Sequence, residues 1–402
     1  MSKKIVGVIS FMNPAGAQQA MLRLMSQLRL RGHETEVWFL YQQTPCFCDE
    51  PGVRVLQAKP KLTPFGYVAT YLQLLGQLRA ARPDAVVGFL PLGNVMGLSA
   101  AVLAGVGTRI ASQRSPGTTF SRPMRLVDRV LGTCGVYSAV VCVSASVRAS
   151  FERYPQAYRS RLSVVNNGID WVQSPMDKQA ARASFAIPAD LPLFVATGRF
   201  TGQKNYSLMV RAAAATPRIR LAIAGEGPQR QDMQALATVL RAGDRIHFLG
   251  SLTKSRVCDL LRAADAFLQT SLYEGQSNST LEAMHEGLPI VCSDIVMQRD
   301  TVCDENGEPA ALLVPLDDFE GWTNALASVR DDRGLAGRLG RSARSLVERR
   351  FTLQMMIDGF ERVLLGVEAA TWKRRGTDSV AGAQTSYADP RSPTAIGRGA
   401  GK

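Results

Sequence analysis

The sequence predicts an α/β protein made of two doubly wound units, each a parallel sheet covered by helices on both faces. Three observations carry that expectation. Apolar runs of strand length recur, without the alternation of a half-exposed strand. Segments with apolar residues at helical spacing separate them, as βαβ units require. The alternation pauses over residues 171–190, which are polar and Ala-rich with Pro175 and Pro188, and then restarts. A length of 402 residues agrees with two or three domains.

The first unit opens with a strand at 3–10, a turn at 13–16 and a helix at 17–30. In that helix Ala20, Met21, Leu24 and Leu28 share a face. Gly16 falls at its N-terminus, where backbone N–H groups can meet an anion. A strand follows at 35–40, a helix at 62–82 and a strand at 85–90. A small-residue helix at 93–104 precedes the strand at 109–112. That strand delivers Arg114 into a loop at its carboxyl end, the end where ligands bind in such sheets. Residues 124–136 have helical character. Arg122, Arg125 and Arg129 make one basic stripe there, with Leu126, Val127, Val130 and Leu131 on another side. Such a helix suits an anionic membrane surface or, alternatively, a solvated face over core. A strand at 139–144, a helix at 145–154 and a strand at 163–170 with an Asn-Gly turn complete the unit.

The second unit has strands at 193–198, 220–225, 246–250 and 266–270, with helices at 206–215, 229–242 and 254–263 between them. Three strand-end loops carry polar chemistry. The loop at 199–205 offers the cations Arg199 and Lys204. The loop Gly225-Glu226-Gly227-Pro228 offers backbone. The segment 270–295 offers Glu274, at a strand end, and Glu282, in the following helix. Between them Asn278, Ser279 and Thr280 form a polar helix start. Cations and helix N-termini bind a diphosphate, and carboxylates accept hydrogen bonds from sugar hydroxyls. A nucleotide-sugar satisfies both. A last amphipathic helix is expected at 351–367, and a disordered basic tail at 371–402.

The charge is uneven. Net charge is +13, yet residues 1–170 carry 19 Lys and Arg against 8 Asp and Glu, while 171–370 carry 22 against 24. A basic half can meet anionic lipid, a phosphorylated substrate or nucleic acid. Nucleic acid is not expected, since no RNP, zinc-finger or basic-zipper pattern is present. The seven cysteines lack metal-ligand spacing, and no metal is expected. The opening MSKKIVGVIS reads as a strand rather than a leader, and no apolar run reaches membrane-spanning length. The expected location is cytoplasmic, with peripheral association at the inner membrane.

On these motifs the chain resembles the retaining GT-B glycosyltransferases of family 4, which include bacterial polysaccharide and lipid-linked sugar transferases. Gly198-Arg199-Phe200 with Gln203-Lys204-Asn205 looks like the family's phosphate-binding loop. Ala224–Pro228 looks like its glycine-rich loop. Glu274 and Glu282, followed by Gly287-Leu288-Pro289, look like its paired-glutamate motif. Asn167–Asp170 is similar to its inter-domain turn, and Gly16 to its N-terminal loop. The likeness spans residues 3–367 and is tighter in the second half.

The resemblance implies two Rossmann-like domains, 1–172 on the acceptor side and 173–350 on the donor side. Residues 351–370 would cross back to the first domain, and the active site would lie in the cleft. It implies Glu274, Arg199 and Lys204 as the catalytic group. Gly16, Gly225, Glu226, Gly227, Leu252, Gly275, Asn278, Ser279, Thr280 and Glu282 would hold the donor, with Glu282 on the ribose. Arg114, where many relatives place a histidine, would face the acceptor. No cofactor is implied, the UDP- or GDP-linked sugar being a substrate. The partners are that donor and a glycan or lipid-linked acceptor. A sugar-nucleotide epimerase and a non-catalytic nucleotide-sugar binder on the same fold are the alternatives. A dinucleotide oxidoreductase is disfavoured, because no GxGxxG follows the first strand.

Overall fold

The structure, a computed structural model, describes residues 2–366, so the tail expected at 371–402 lies outside the described residues. Thirteen strands form two sheets. The first contains β1 (Lys4–Met12), β2 (Glu34–Gln42), β3 (Val53–Val55), β4 (Ala85–Phe89), β5 (Thr108–Gln113), β6 (Ala139–Cys142) and β7 (Leu162–Val164). Their order is β3-β2-β1-β4-β5-β6-β7. The second contains β8 (Leu193–Thr197), β9 (Arg220–Ala224), β10 (Ile246–Gly250), β11 (Ala266–Gln269), β12 (Ile290–Ser293) and β13 (Leu312–Val314). Their order is β10-β9-β8-β11-β12-β13. Every ladder is parallel. Both sheets therefore reverse winding at an internal strand pair, β1/β4 in one and β8/β11 in the other, and such switch points open crevices at strand carboxyl ends.

The apolar strands read in the sequence are buried because helices cover both faces. In β1, Ile5 and Ile9 pack under the helix Gly16–Leu30 with Met21, Leu24 and Leu28, while Val6 and Val8 face the other core. Some elements are shorter than expected. The 163–170 run is strand only to Val164, and residues 165–170 instead cross between the domains. The 93–104 helix begins with a π-helical turn, Gly93–Gly97, before Leu98–Leu103. The edge strand β3 has three residues, too few for a periodicity to show.

The chain returns to the first domain at its end. Helix Leu353–Leu365 lays Met356, Ile357 and Phe360 against the first sheet's core. Phe360 meets Phe89 with ring centroids 6.1 Å apart. Arg31 pairs with Asp358 at 2.6 Å and also with Glu361, and His33 Nε2 lies 3.3 Å from Glu361. The outgoing and returning segments run side by side, Ile169 bridging Thr352.

The helix Arg122–Thr133 covers the core only in part, with Met124 and Leu131 half-buried against it. It fully buries only Asp128 and Gly132, and Leu126 is 61% exposed. Val127 and Val130 are exposed as well. Phe65, in the helix Pro64–Ala81, is 88% exposed.

Truncating Phe360 to alanine should cost about 3–5 kcal/mol, the range for a fully buried aromatic ring. Urea unfolding followed by fluorescence measures this as a lowered midpoint for the first domain.

Candidate functional site

The carboxyl ends of the two sheets face each other across a cleft of about 620 Å³. Backbone geometry shapes its second-domain wall. Gly225, directly after β9, has φ +146°, and a Cβ there would overlap the Gly198 carbonyl oxygen. The two strand-end loops of β8 and β9 therefore touch through glycine, and their backbones line the cleft. Asn205 adopts the left-handed conformation with φ 49°, which lets the chain turn from Lys204 into the helix Tyr206–Ala215.

Glu274 is the centre of this wall. It is only 6% exposed. Lys204 Nζ lies 2.8 Å from its Oε1. Ser271 Oγ donates to the same oxygen at 2.7 Å and Gln269 Nε2 at 3.0 Å. Gln203 Nε2 donates to Oε2 at 3.3 Å. A buried carboxylate needs such partners, because an isolated charge there would be strongly penalised. An ammonium has three donors, so Lys204 keeps capacity beyond Glu274. Thr270 Oγ1 donates to the Lys204 and Asn205 carbonyls at 3.0 Å each, tying the lysine's loop to the glutamate's strand. Arg199 is exposed at the cleft, and no hydrogen bond or ion pair among the described residues engages its guanidinium.

The helix Asn278–Glu286 starts beside Glu274. Ser277 caps it, accepting from the Thr280 amide at 3.3 Å. Asn278, Ser279 and Glu282 line the cleft, as do Gly225, Glu226, Gly227, Leu252 and Gly275. Thr280 corrects the expectation. Its hydroxyl donates to Gln269 Oε1 at 2.6 Å and it is fully buried, so it supports the floor and does not face the cleft. The helical period turns it inward, since Ser279 and Glu282 are three apart on the cleft face.

The first-domain wall begins at Gly16, the first residue of its helix, whose N-cap Ala15 has no side chain to bond the terminal amides. Gly16, Ala17 and Gln18, whose amides have no partner within the helix, line the cleft next to Asn278, whose Nδ2 lies 3.4 Å from the Gly16 carbonyl. Arg114 also lines the cleft, but it is anchored. Its guanidinium bonds Asn167 Oδ1 and lies 4.9 Å over the Phe89 ring. Burial lowers its pKa to about 9. Gly275 packs so closely on the Arg114 carbonyl that any Cβ would overlap it. Asn167 joins the domains further. Its N–H donates to Gln276 Oε1 at 2.6 Å and its Nδ2 to Asn278 Oδ1 at 3.0 Å.

Glu282 sits deep between the domains, with its pKa pushed up to about 7 by burial and pulled back by Arg23 and then Lys254. Arg23 lies on the helix Gly16–Leu30, acts on Glu282 through its charge, and donates to the Gly168 carbonyl at 2.8 Å. Sequence reasoning missed Arg23, Lys254, Gln269 and Ser271. The polar run Gln269-Thr270-Ser271 directly after an apolar strand was a usable signal for a buried network. Arg23 carried none, looking like any basic helix residue.

Two comparisons with known families match this chain, Glycosyl transferases group 1 over residues 177–346 and Glycosyl transferase 4-like domain over 15–168. Each match covers one of the two domains, the second domain carrying the group 1 likeness and the first the 4-like one. It is 29% identical over 184 residues to the lipopolysaccharide core biosynthesis glycosyltransferase LpsE of Rhizobium meliloti, covering 46% of this chain and 52% of that one. It is 29% identical over 324 residues to the putative glycosyltransferase EpsF of Bacillus subtilis, covering 74% and 80%. A D-inositol 3-phosphate glycosyltransferase of Mycobacteroides abscessus is 33% identical over 182 residues, 44% of this chain and 40% of its own length. Two of these three matches thus span about half of the relative or less. Among solved structures, Anabaena HepE with UDP and glucose superposes with a TM-score of 0.78 at 18% identity, over 90% of this chain and 99% of that one. Sucrose-phosphate synthase from Thermosynechococcus elongatus gives 0.77 at 20% identity, over 92% and 100%. These likenesses show the shared two-domain fold.

Carbon-13 NMR of the labelled Glu282 carboxyl should show a midpoint near pH 7. Removing the nearby cation in Arg23→Met should move that midpoint upward, since a positive neighbour favours the ionised acid.

Proposed function

We propose that this chain transfers a sugar from a nucleotide-sugar, UDP- or GDP-linked, to a glycan or lipid-linked acceptor, with retention of configuration, at the cytoplasmic face of a membrane. The observation that carries the reading is the meeting of Lys204 and Glu274 at 2.8 Å inside a cleft that also holds Arg199, Glu282 and an open helix N-terminus at Gly16. Crystal structures of the fold neighbour HepE contain UDP and UDP-glucose, which favours a UDP-linked donor here.

The roles follow from charge and reach. Arg199, Lys204 and the amides at Gly16 oppose the negative charge that grows on the departing diphosphate. No metal is required for that charge in this scheme. Glu282, as a carboxylate, accepts hydrogen bonds from the ribose hydroxyls. Glu274 accepts from hydroxyls of the transferred sugar, and its own donors keep it aimed. The bond from the anomeric carbon to the phosphate oxygen breaks while the acceptor oxygen bonds that carbon on the same face. The acceptor's proton passes to the departing phosphate oxygen. Close contact of Gly275 with Arg114 keeps water from the reacting centre, where hydrolysis competes.

The membrane component rests on the exposed apolar row Leu126, Val127 and Val130 beside Arg122, Arg125 and Arg129. Apolar side chains next to cations match an anionic bilayer surface. No helix among the described residues is long and apolar enough to cross a membrane.

Lys204→Ala and Glu274→Ala should each lower transfer from a panel of UDP- and GDP-sugars by about 10²-fold or more, the scale of one lost electrostatic contact at the reacting centre. Circular dichroism should be unchanged, and full activity in Lys204→Ala sinks the assignment. Sedimentation with phosphatidylglycerol vesicles should capture the protein at low salt and release it at high salt. Leu126→Glu should reduce capture, and failure of the parent protein to sediment at low salt overturns the membrane component.

A further inference from the structure

Beside the donor cleft lies a second cavity of about 460 Å³. That is within the range of about 300–1,000 Å³ usual for small-molecule sites. Both domains build it. Thr118 and Thr119 come from the loop after β5, Thr201 from the phosphate-side loop, and Leu272 and Tyr273 from the segment entering Glu274. It communicates with the donor cleft, because Arg199 and Gln203 line both. Gln203 is the fixed partition. Its Nε2 donates to the Tyr273 carbonyl at 3.0 Å and to Glu274 Oε2 at 3.3 Å.

We propose that this cavity is an acceptor subsite for a sugar ring that carries a phosphate or carboxylate group; the proposal rests on the glycosyl-transfer reading above. Position is the first reason. An occupant here is one side chain away from Glu274, which faces the transferred sugar. The lining chemistry is the second. The hydroxyls of Thr118 and Thr201 can donate to and accept from sugar hydroxyls, whereas Thr119 Oγ1 already donates to the Pro116 carbonyl at 2.7 Å, and the Tyr273 ring and the exposed Leu272 offer surface to the apolar face of a pyranose. Charge is the third. Arg199 is the one charged side chain among the residues lining the cavity, and no carboxylate lines it. A guanidinium has five donors in a planar fork, enough to touch a donor phosphate on one side and an acceptor anion on the other. The first domain's excess of cations, 19 against 8 acids over residues 1–170, also favours an anionic acceptor on that side.

The test uses the full chain with saturating UDP, so that the diphosphate site is filled. Calorimetry compares glucose 6-phosphate with glucose as probes. The phosphorylated sugar should bind at least tenfold more tightly than glucose. Thr118→Trp, which fills the cavity from the side away from the donor, should weaken the sugar phosphate at least tenfold and leave UDP affinity within twofold. Tyr273→Leu is the second variant should the tryptophan disturb folding, and the same loss is expected of it. Equal affinity for the two sugars, or unchanged sugar-phosphate binding in both variants, overturns the subsite while UDP binding stands. Absence of UDP binding in the parent protein overturns the donor reading and this subsite together.

Discussion

The arrangement depends on one buried carboxylate. Glu274 is nearly sealed from water, and such a group is tolerated only with partners. Those partners come from two places in the chain. Gln269 and Ser271 belong to its own strand end, while Gln203 and Lys204 belong to the loop after β8. Satisfying Glu274 therefore also fixes the loop that carries Arg199. The parallel neighbours β8 and β11 bring the two loops to the same carboxyl end of the sheet. Packing, electrostatics and site geometry are one problem here, solved once.

The second constraint is the approach of the two domains. Gly275 and Asn167 allow it in different ways. Gly275 has no side chain to hold the Arg114 backbone away, and Asn167 supplies amide groups that bond residues 276 and 278. The returning helix Leu353–Leu365 clasps the first domain through Arg31, His33 and Phe89, so the connection is double. The charges of Arg23 and Glu282 act on each other across this junction. Their mutual influence exists only while the domains are together.

The apolar face of Arg122–Thr133 shows a limit of periodicity. Its amphipathic pattern was plain in the sequence, but a pattern does not say whether the apolar side meets core or solvent. The structure buries Asp128 instead, where Gln113, Tyr137 and Tyr158 hydrogen-bond it and burial raises its pKa to about 6. The inward side of that helix thus mixes Met124 and Leu131 with a polar centre, and the outward side mixes Leu126, Val127 and Val130 with arginines. Thr280 fails for a related reason. It was grouped with Asn278 and Ser279 by sequence adjacency, and one step of helical rotation of about 100° sends it to the interior.

By itself the sequence determined the alternation of strands and helices, the two-unit architecture and most cleft residues. Those follow from local rules: apolar run length, helical spacing, and loops at strand ends. The glycine at 225 and the cations at 199 and 204 were legible because backbone approach and charge restrict which residue types serve, while Gly275 came from the family resemblance. Only the tertiary structure decided which groups pair. Lys204 with Glu274, Arg23 with the Gly168 carbonyl, and Asn167 with Asn278 join residues 70, 145 and 111 positions apart in the chain. No local pattern encodes such distances, because they are set by strand order within each sheet and by how the two sheets meet.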